Sequence, residues 1–278
     1  MNTSWKSFAV WEQTSKESMT KFLSLYSSSS GNSILISNDD TNILIDAGVS
    51  AAKISASLND AGIDPQTIDA IFVTHEHSDH ISGIRVFSKK YNIAVYANAP
   101  TMEAVLKSAP SLSQGLAHII SASGVYDIRS MRIKPFITPH DSVASFGYVI
   151  ESDDKKYAVA TDTGCITKAM LSALAGCEAV VIEANHDIKM LSEGAYPYTL
   201  KRRILSDTGH LSNEKCAWLA TQLAIWGTKR ILLGHLSKEN NTPDKAYECV
   251  RKSLEANGFK VGCDVILKVA SPDEITYI

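Results

Sequence analysis

The sequence predicts an α/β (α+β) fold in which two central sheets carry helices on their outer sides. Two observations lead there. Apolar strand patterns recur along most of the chain and alternate loosely with helical stretches, in two halves that each run strands first and helices after. So many apolar strands need cover, and two sheets packed together with helices outside supply it. No Pro/Gly-rich linker or charge break interrupts the pattern, so residues 21–278 read as one domain behind an N-terminal extension, residues 1–20.

Composition sets bounds on function. A chain of 278 residues is long enough for a substantial core. The net charge of −3 argues against a globally basic nucleic-acid binder but leaves room for a local basic patch. Cys165, Cys177, Cys216, Cys249 and Cys263 are scattered with no C-x-x-C pair, which fits free thiols in a reducing compartment. The extension is polar and mixed in charge, without the apolar run of a signal peptide, and no later segment approaches a membrane span. The protein therefore reads as cytoplasmic. The extension is either flexible or a weak helix, and Met19 is an alternative start.

In chain order, Lys21–Tyr26 alternates like a strand, and Ser27–Ser33 is a small-residue loop, either flexible or suited to close approach of an anion. Ile34–Ser37 and Thr41–Ile45 read as a hairpin around Asn38-Asp39-Asp40. Asp46 then either forms a turn or supports a nearby metal site. Val49–Ala61 reads as a helix stopped by Gly62, and Ala70–Thr74 as a strand. An amphipathic helix runs from the following loop to Tyr91, with Ile81, Ile84, Val86, Phe87 and Tyr91 as its apolar residues. Ile93–Tyr96 is a short strand, and Pro100–Lys107 a helix with proline at its start. Residues 108–123 carry the weakest pattern, and His118 there receives no role.

Strands dominate next: Val125–Ile128, Met131–Thr138, Ser142–Glu151 and Lys156–Thr161. A helix over Ile166–Ala175 and a strand over Ala179–Ile182 follow. Tyr196–Arg203 interleaves aromatic and basic residues. Asn213–Trp226 is helical, Arg230–Leu233 a strand, and Thr242-Pro243 caps a last helix that ends at Gly258. Asp264–Val269 is the final strand.

The chain is organised around one stretch, Ile71-Phe72-Val73-Thr74-His75-Glu76-His77-Ser78-Asp79-His80. Residues i and i+2 of an extended segment share a side, so His75 and His77 can reach one metal ion together. Asp79 and His80, where the chain turns helical, can point to a second. Imidazole and carboxylate suit zinc, manganese, iron or nickel. Other polar residues stand at further strand ends: His140, Asp162, Glu183, His186 and His235, with His210 before a helix. His75, His77 and His140 then form one ligand set and Asp79, His80 and His235 the other, with Asp162 as the bridging carboxylate. Two divalent ions so placed lower the pKa of a shared water and yield hydroxide near neutral pH.

These residues resemble the metallo-β-lactamase superfamily in their type, spacing and order. The resemblance covers the chain from about Met19 and implies a four-layer αβ/βα sandwich with a dinuclear site at one edge of the sheets. Ser27–Ser33, Glu183–Asp187, Tyr196–Arg203, Gly209–Asn213 and Gly234–Asn241 are similar more narrowly to its YycJ/WalJ (VicX-like) branch. That branch implies a nuclease with 5′→3′ exonuclease activity on DNA. Glu183 and His210 are also placed like the catalytic Glu/His relay of the tRNA 3′-processing endonucleases. Glu183 would hold the imidazole while His210 gives a proton to the leaving oxygen or steadies a phosphate.

The reading is a metal-dependent phosphodiesterase acting on nucleic acid, DNA favoured, with Asp79, His210 and Glu183 as catalytic residues. Lys201, Arg202 and Arg203 would hold the phosphate backbone, and Tyr196 or Tyr198 would stack a base. Ser30, Asn32, His186 and Ser237 complete the candidate substrate contacts. The larger nuclease relatives' long inserted domain is lacking, which leaves the grip to loops and a second subunit, so a homodimer is one option. The alternatives are a hydrolase of a small phosphodiester, thioester or lactone on the same fold, and a regulatory protein linked to a two-component system with a structural metal site.

Overall fold

The computed structural model describes residues 20–110, 112 and 114–278, so the expected extension lies, up to residue 19, outside the described residues. The first half runs β1 (Lys21–Ser28), β2 (Gly31–Ser37), β3 (Asn42–Ile45), α1 (Ala51–Asp60), β4 (Ala70–Phe72), α2 (Ser78–Ile81), α3 (Ile84–Tyr91), β5 (Ala94–Ala97), α4 (Ala99–Ser108) and β6 (Ala117–Ile119). The second begins β7 (Tyr126–Ile128), β8 (Met131–Ile137), β9 (Phe146–Ser152), β10 (Lys155–Ala160), α5 (Lys168–Leu174), β11 (Ala179–Glu183), α6 (Ile188–Glu193) and α7 (Tyr198–Leu205). It ends with α8 (Asn213–Ile225), β12 (Arg230–Gly234), α9 (Pro243–Ala256), β13 (Ile266–Val269) and β14 (Thr276–Tyr277).

The strands form two seven-stranded sheets, ordered β14-β1-β2-β3-β4-β5-β6 and β13-β12-β11-β10-β9-β8-β7. Their side chains explain the layering. Ile34 and Ile36 of β2 point one way, into an apolar layer with Tyr148, Ile150, Val159 and Val181 of the other sheet, while Leu35 points the other way, toward Ile54 and Leu58 of α1. In β11, Val181 faces the central layer and Val180 and Ile182 face Leu219, Leu223, Val250 and Leu254 of α8 and α9. Burial of each such side chain stabilises the fold by about 1.5–3 kcal/mol, and strands buried on both faces lose polar alternation. The result is helix, sheet, sheet, helix, the expected sandwich. The Tyr148 hydroxyl crosses the central layer and donates to the Val73 carbonyl at 2.5 Å.

β3 to β6 are parallel, as are β10 to β13. Their C-terminal ends line one edge of the sandwich, where the side chains that follow them meet. Positive φ values at Asp46 (64°), Asp162 (56°) and His235 (56°) turn the chain sharply at the ends of β3, β10 and β12. For residues other than glycine this left-handed backbone costs about 1 kcal/mol or more, a cost found where geometry serves a site.

The structure corrects several expectations. The helix expected to run to Tyr91 is two, α2 and α3, broken at Ser82-Gly83. A Cβ at Gly83 would collide with the Val49 carbonyl oxygen, the Gly83 amide donates to the Ala47 carbonyl, and Val86 is exposed. Most of the expected loop Ser27–Ser33 is strand: Ser27 pairs with Asn32 and only Ser29-Ser30 turn. Ser142–Ser145, expected as strand, precedes β9 as a loop. Within the unpatterned stretch, His118 lies on edge strand β6 and stacks on Tyr96 at 4.7 Å. β6, α6 and β14 are elements beyond those expected from the sequence; β14 pairs antiparallel with β1 and joins the chain's end to the first sheet.

Candidate metal centre

The strand β4 ends at Phe72, and Thr74 then anchors the turn that follows. Asp46 accepts from the Thr74 amide and hydroxyl, both at 2.8 Å, and from His80 Nδ1 at 2.7 Å. Asp46 thus supports the site as well as turning the chain. His80 sits on the short helix α2, which packs so closely on residues 46–48 that the Asp79 carbonyl leaves no room for a Cβ at Gly48. With Nδ1 given to Asp46, His80 turns Nε2 inward. The same logic orients two more rings: His140 Nδ1 faces the Gly209 carbonyl at 3.2 Å and His235 Nδ1 faces Glu183 Oε1 at 3.0 Å.

The inward atoms converge. His75 Nε2 lies 3.0 Å from His77 Nδ1, which lies 3.4 Å from His140 Nε2. His80 Nε2 is 3.4 Å from Asp79 Oδ2, and His235 Nε2 is 3.5 Å from the same oxygen. Between the two groups stands Asp162, with Oδ2 3.4 Å from His80 Nε2 and Oδ1 3.4 Å from His235 Nε2 and 3.8 Å from His140 Nε2. All seven residues named as ligands from the sequence therefore meet at one place.

Burial and charge fit this pocket to cations. Burial disfavours a charged His80, but the carboxylates of Asp162 and then Asp46 outweigh it and hold the imidazole well above the ordinary histidine value. At His235 burial is likewise overcome, by Asp162 and by hydrogen bonds to Asp79 and Glu183, and the pKa rises to about 10. His75 goes the other way, driven well down by burial and by its His80, His140 and His77 neighbours. Asp79 is held below the usual carboxylate range because hydrogen bonds from His235 and His80 overcome its burial. Asp162 Oδ2 is buried and has no hydrogen-bond partner among the described residues. Inward imidazole nitrogens around a buried carboxylate oxygen that accepts no hydrogen bond among the described residues are a donor set suited to divalent metal.

Beside these residues lies the Glu183–His210 pair, 2.7 Å between Oε1 and Nδ1. Glu183 is fully buried, and its other oxygen accepts from the Thr163 and Leu211 amides. Charge and hydrogen bonds from His210 overcome burial and keep Glu183 below the usual carboxylate range, while Glu183 raises His210 against its own burial.

The candidate substrate contacts divide. Ser30 is exposed at the β1–β2 turn. Asn32 is buried: its amide donates to the Ser28 carbonyl at 2.9 Å and lies 3.3 Å from Asp79 Oδ2, so it addresses the metal-side carboxylate. His186 is buried with no hydrogen-bond partner for either ring nitrogen among the described residues, and burial lowers it to about 4. The Ser237 hydroxyl accepts from the Asn240 amide. Lys201, Arg202 and Arg203 stand on α7, a helix with no buried residue. Ser27 and Asn185, which lie in two of the stretches similar to the YycJ/WalJ branch but carry no individual role in the sequence, also hold the site: the Ser27 hydroxyl accepts from the His235 amide, and Asn185 donates to the His235 carbonyl.

Residues 41–236 match the family model described as a beta-lactamase superfamily domain. Exodeoxyribonuclease WalJ of Streptococcus pneumoniae serotype 2 is 38% identical over 258 residues, 92% of this chain and 96% of that protein. Exodeoxyribonuclease YycJ of Bacillus anthracis is 37% identical over 241 residues, 87% of this chain and 91% of that protein. Among solved structures, Zn²⁺-bound PqqB from Methylobacterium extorquens superposes with a TM-score of 0.70 at 17% identity, covering 92% of this chain and 99% of that one, a likeness of fold. The chain belongs to the metallo-β-lactamase superfamily, in its WalJ/YycJ branch.

Proposed function

We propose that this chain is a metal-dependent phosphodiesterase that shortens DNA from an end with 5′→3′ polarity, through one catalytic domain over residues 21–278, in the cytoplasm. The observation that carries the reading is the 38% identity, over 92% of the chain, to a relative named an exodeoxyribonuclease. Five free cysteines fit the compartment, and no helix of the described residues is long and apolar enough to cross a membrane. A homodimer is compatible with this reading.

His75, His77 and His140 would hold one divalent cation and Asp79, His80 and His235 a second, with Asp162 between them; zinc and manganese suit these donors. Bound there, the ions supply Lewis acidity toward a phosphoryl oxygen and a nucleophile at neutral pH. The chain's own groups do the rest. Asp79, ionised and partly exposed, accepts a hydrogen bond from the attacking water and fixes its direction. Glu183 accepts a hydrogen bond from His210 Nδ1–H and favours the imidazolium, so that Nε2–H faces the substrate and gives its proton to the leaving oxygen. Partial exposure of the His210 side chain gives substrate access that fully buried Glu183 lacks.

Metal-loaded protein incubated with end-labelled single- and double-stranded DNA and RNA tests this. Stepwise shortening of DNA, absent in His75→Ala and His210→Ala, is the expected result. Intact polymers with continued turnover of bis(p-nitrophenyl) phosphate would move the substrate to a small phosphodiester. Silence on all of them would overturn the enzyme reading.

A further inference from the structure

The three basic residues of α7 are not equivalent. Lys201 Nζ donates to the Ser192 carbonyl at 2.8 Å, so it closes its own loop. The Arg202 guanidinium lies 5.9 Å from the Tyr198 ring centroid, beside an aromatic face that is 73% exposed. Arg203 alone reaches toward the metal centre. Its Nε pairs with Asp141 Oδ2, and its two terminal nitrogens have no partner among the described residues.

Asp141 directly follows the ligand His140. Its Oδ1 is buried, has no hydrogen-bond partner among the described residues, and lies 3.4 Å from His140 Nε2. One carboxylate therefore spans the gap between a metal-ligating imidazole and a guanidinium whose fork is free. Arginine binds phosphate through two parallel N–H bonds, and pinning it by Nε leaves the terminal nitrogens for that purpose. The guanidinium is thus joined to His140 through the two oxygens of one carboxylate, which places it beside the ligand set rather than within it.

We propose that Arg203, positioned by Asp141, grips the phosphate next to the scissile one and so makes the site select a polynucleotide over a lone phosphodiester. The inference rests on the nuclease reading above. α7 has no buried residue; its Ile204 carbonyl accepts from the His210 amide, and among the ion pairs of the described residues Arg203–Asp141 is the one that ties it to the metal side. Tyr198 and Arg202 then offer a stacking surface further along the same strand.

The test compares two substrates on one set of metal-loaded proteins. Arg203→Ala should raise KM for single-stranded DNA about tenfold with a smaller change in kcat, and leave bis(p-nitrophenyl) phosphate, which has a single phosphate, within about twofold. The slope of log affinity against log salt should fall by about 0.7–1, one phosphate contact. Arg203→Lys should resemble the alanine variant, because an ammonium cannot hold Asp141 and fork a phosphate together. Asp141→Asn should raise KM for DNA in the same direction, with bound metal measured alongside to separate any loss at His140. An equal loss on both substrates, a fully active Arg203→Lys, or an unchanged salt slope would overturn the proposal. Failure of the nuclease reading looks different: wild-type protein would then leave DNA intact while hydrolysing the small substrate.

Discussion

A single oxygen, Glu183 Oε1, stands 2.7 Å from His210 Nδ1 and 3.0 Å from His235 Nδ1. One buried carboxylate thus fixes the tautomer of both a candidate proton donor and a candidate metal ligand. The strand β11 delivers it between them, and two backbone amides hold its other oxygen.

This shared anchor separates two variants. His210→Ala should lower kcat about 10²–10⁴-fold and leave metal affinity near wild type. Glu183→Gln should lower kcat similarly and also weaken metal binding about 10–100-fold, because His235 loses its orientation. Steady-state kinetics beside metal titration of the same preparations reads the split. Equal metal affinities in the two variants would contradict it.

Asp46 anchors the opposite side of the pocket through His80. Asp46→Asn keeps the shape and tolerates the left-handed backbone at φ 64°. It should reduce metal affinity about 10–100-fold while the protein stays folded, checked by metal titration and circular dichroism.

Asn32 is predicted to act through Asp79. In Asn32→Ala the Asp79 carboxylate loses a donor at 3.3 Å, and the variant should bind metal more weakly without a change in KM for DNA. A rise in KM alone would return Asn32 to the substrate side.

The hydroxyl of Tyr148 joins the two sheets directly behind the metal loop. Tyr148→Phe leaves the Val73 carbonyl without its buried donor and should destabilise the fold by about 1–3 kcal/mol. Urea denaturation would show a lower midpoint at an unchanged slope.

The convergence of the seven candidate ligands was legible in the sequence because their spacing is local or tied to strand ends. His75, His77, Asp79 and His80 fall within six residues, and a strand followed by a turn fixes where they point. His140, Asp162 and His235 could be placed because parallel strands end at one edge. What the sequence did not reveal depends on contacts between distant segments. The break at Gly83 follows from the approach of residues 47–49, although the apolar pattern reads straight through it. The turn of Asn32 toward Asp79, and the reach of Arg203 to Asp141, join residues whose separation carries no periodic signal. α6 and β14 are too short to impose one.

The pocket around Asp162 should hold divalent ions, and hydrolysis of DNA by this chain should depend on their occupancy. Metal-stripped protein titrated with Mn²⁺, with bound metal and shortening of end-labelled DNA followed in the same samples, tests it most directly. Hydrolysis should be absent at first, rise with occupancy and saturate as a two-metal site fills, and His75→Ala should remain inactive throughout. DNA hydrolysis that persists in the stripped protein, or survives in His75→Ala, would show that the reaction does not need metal in this pocket.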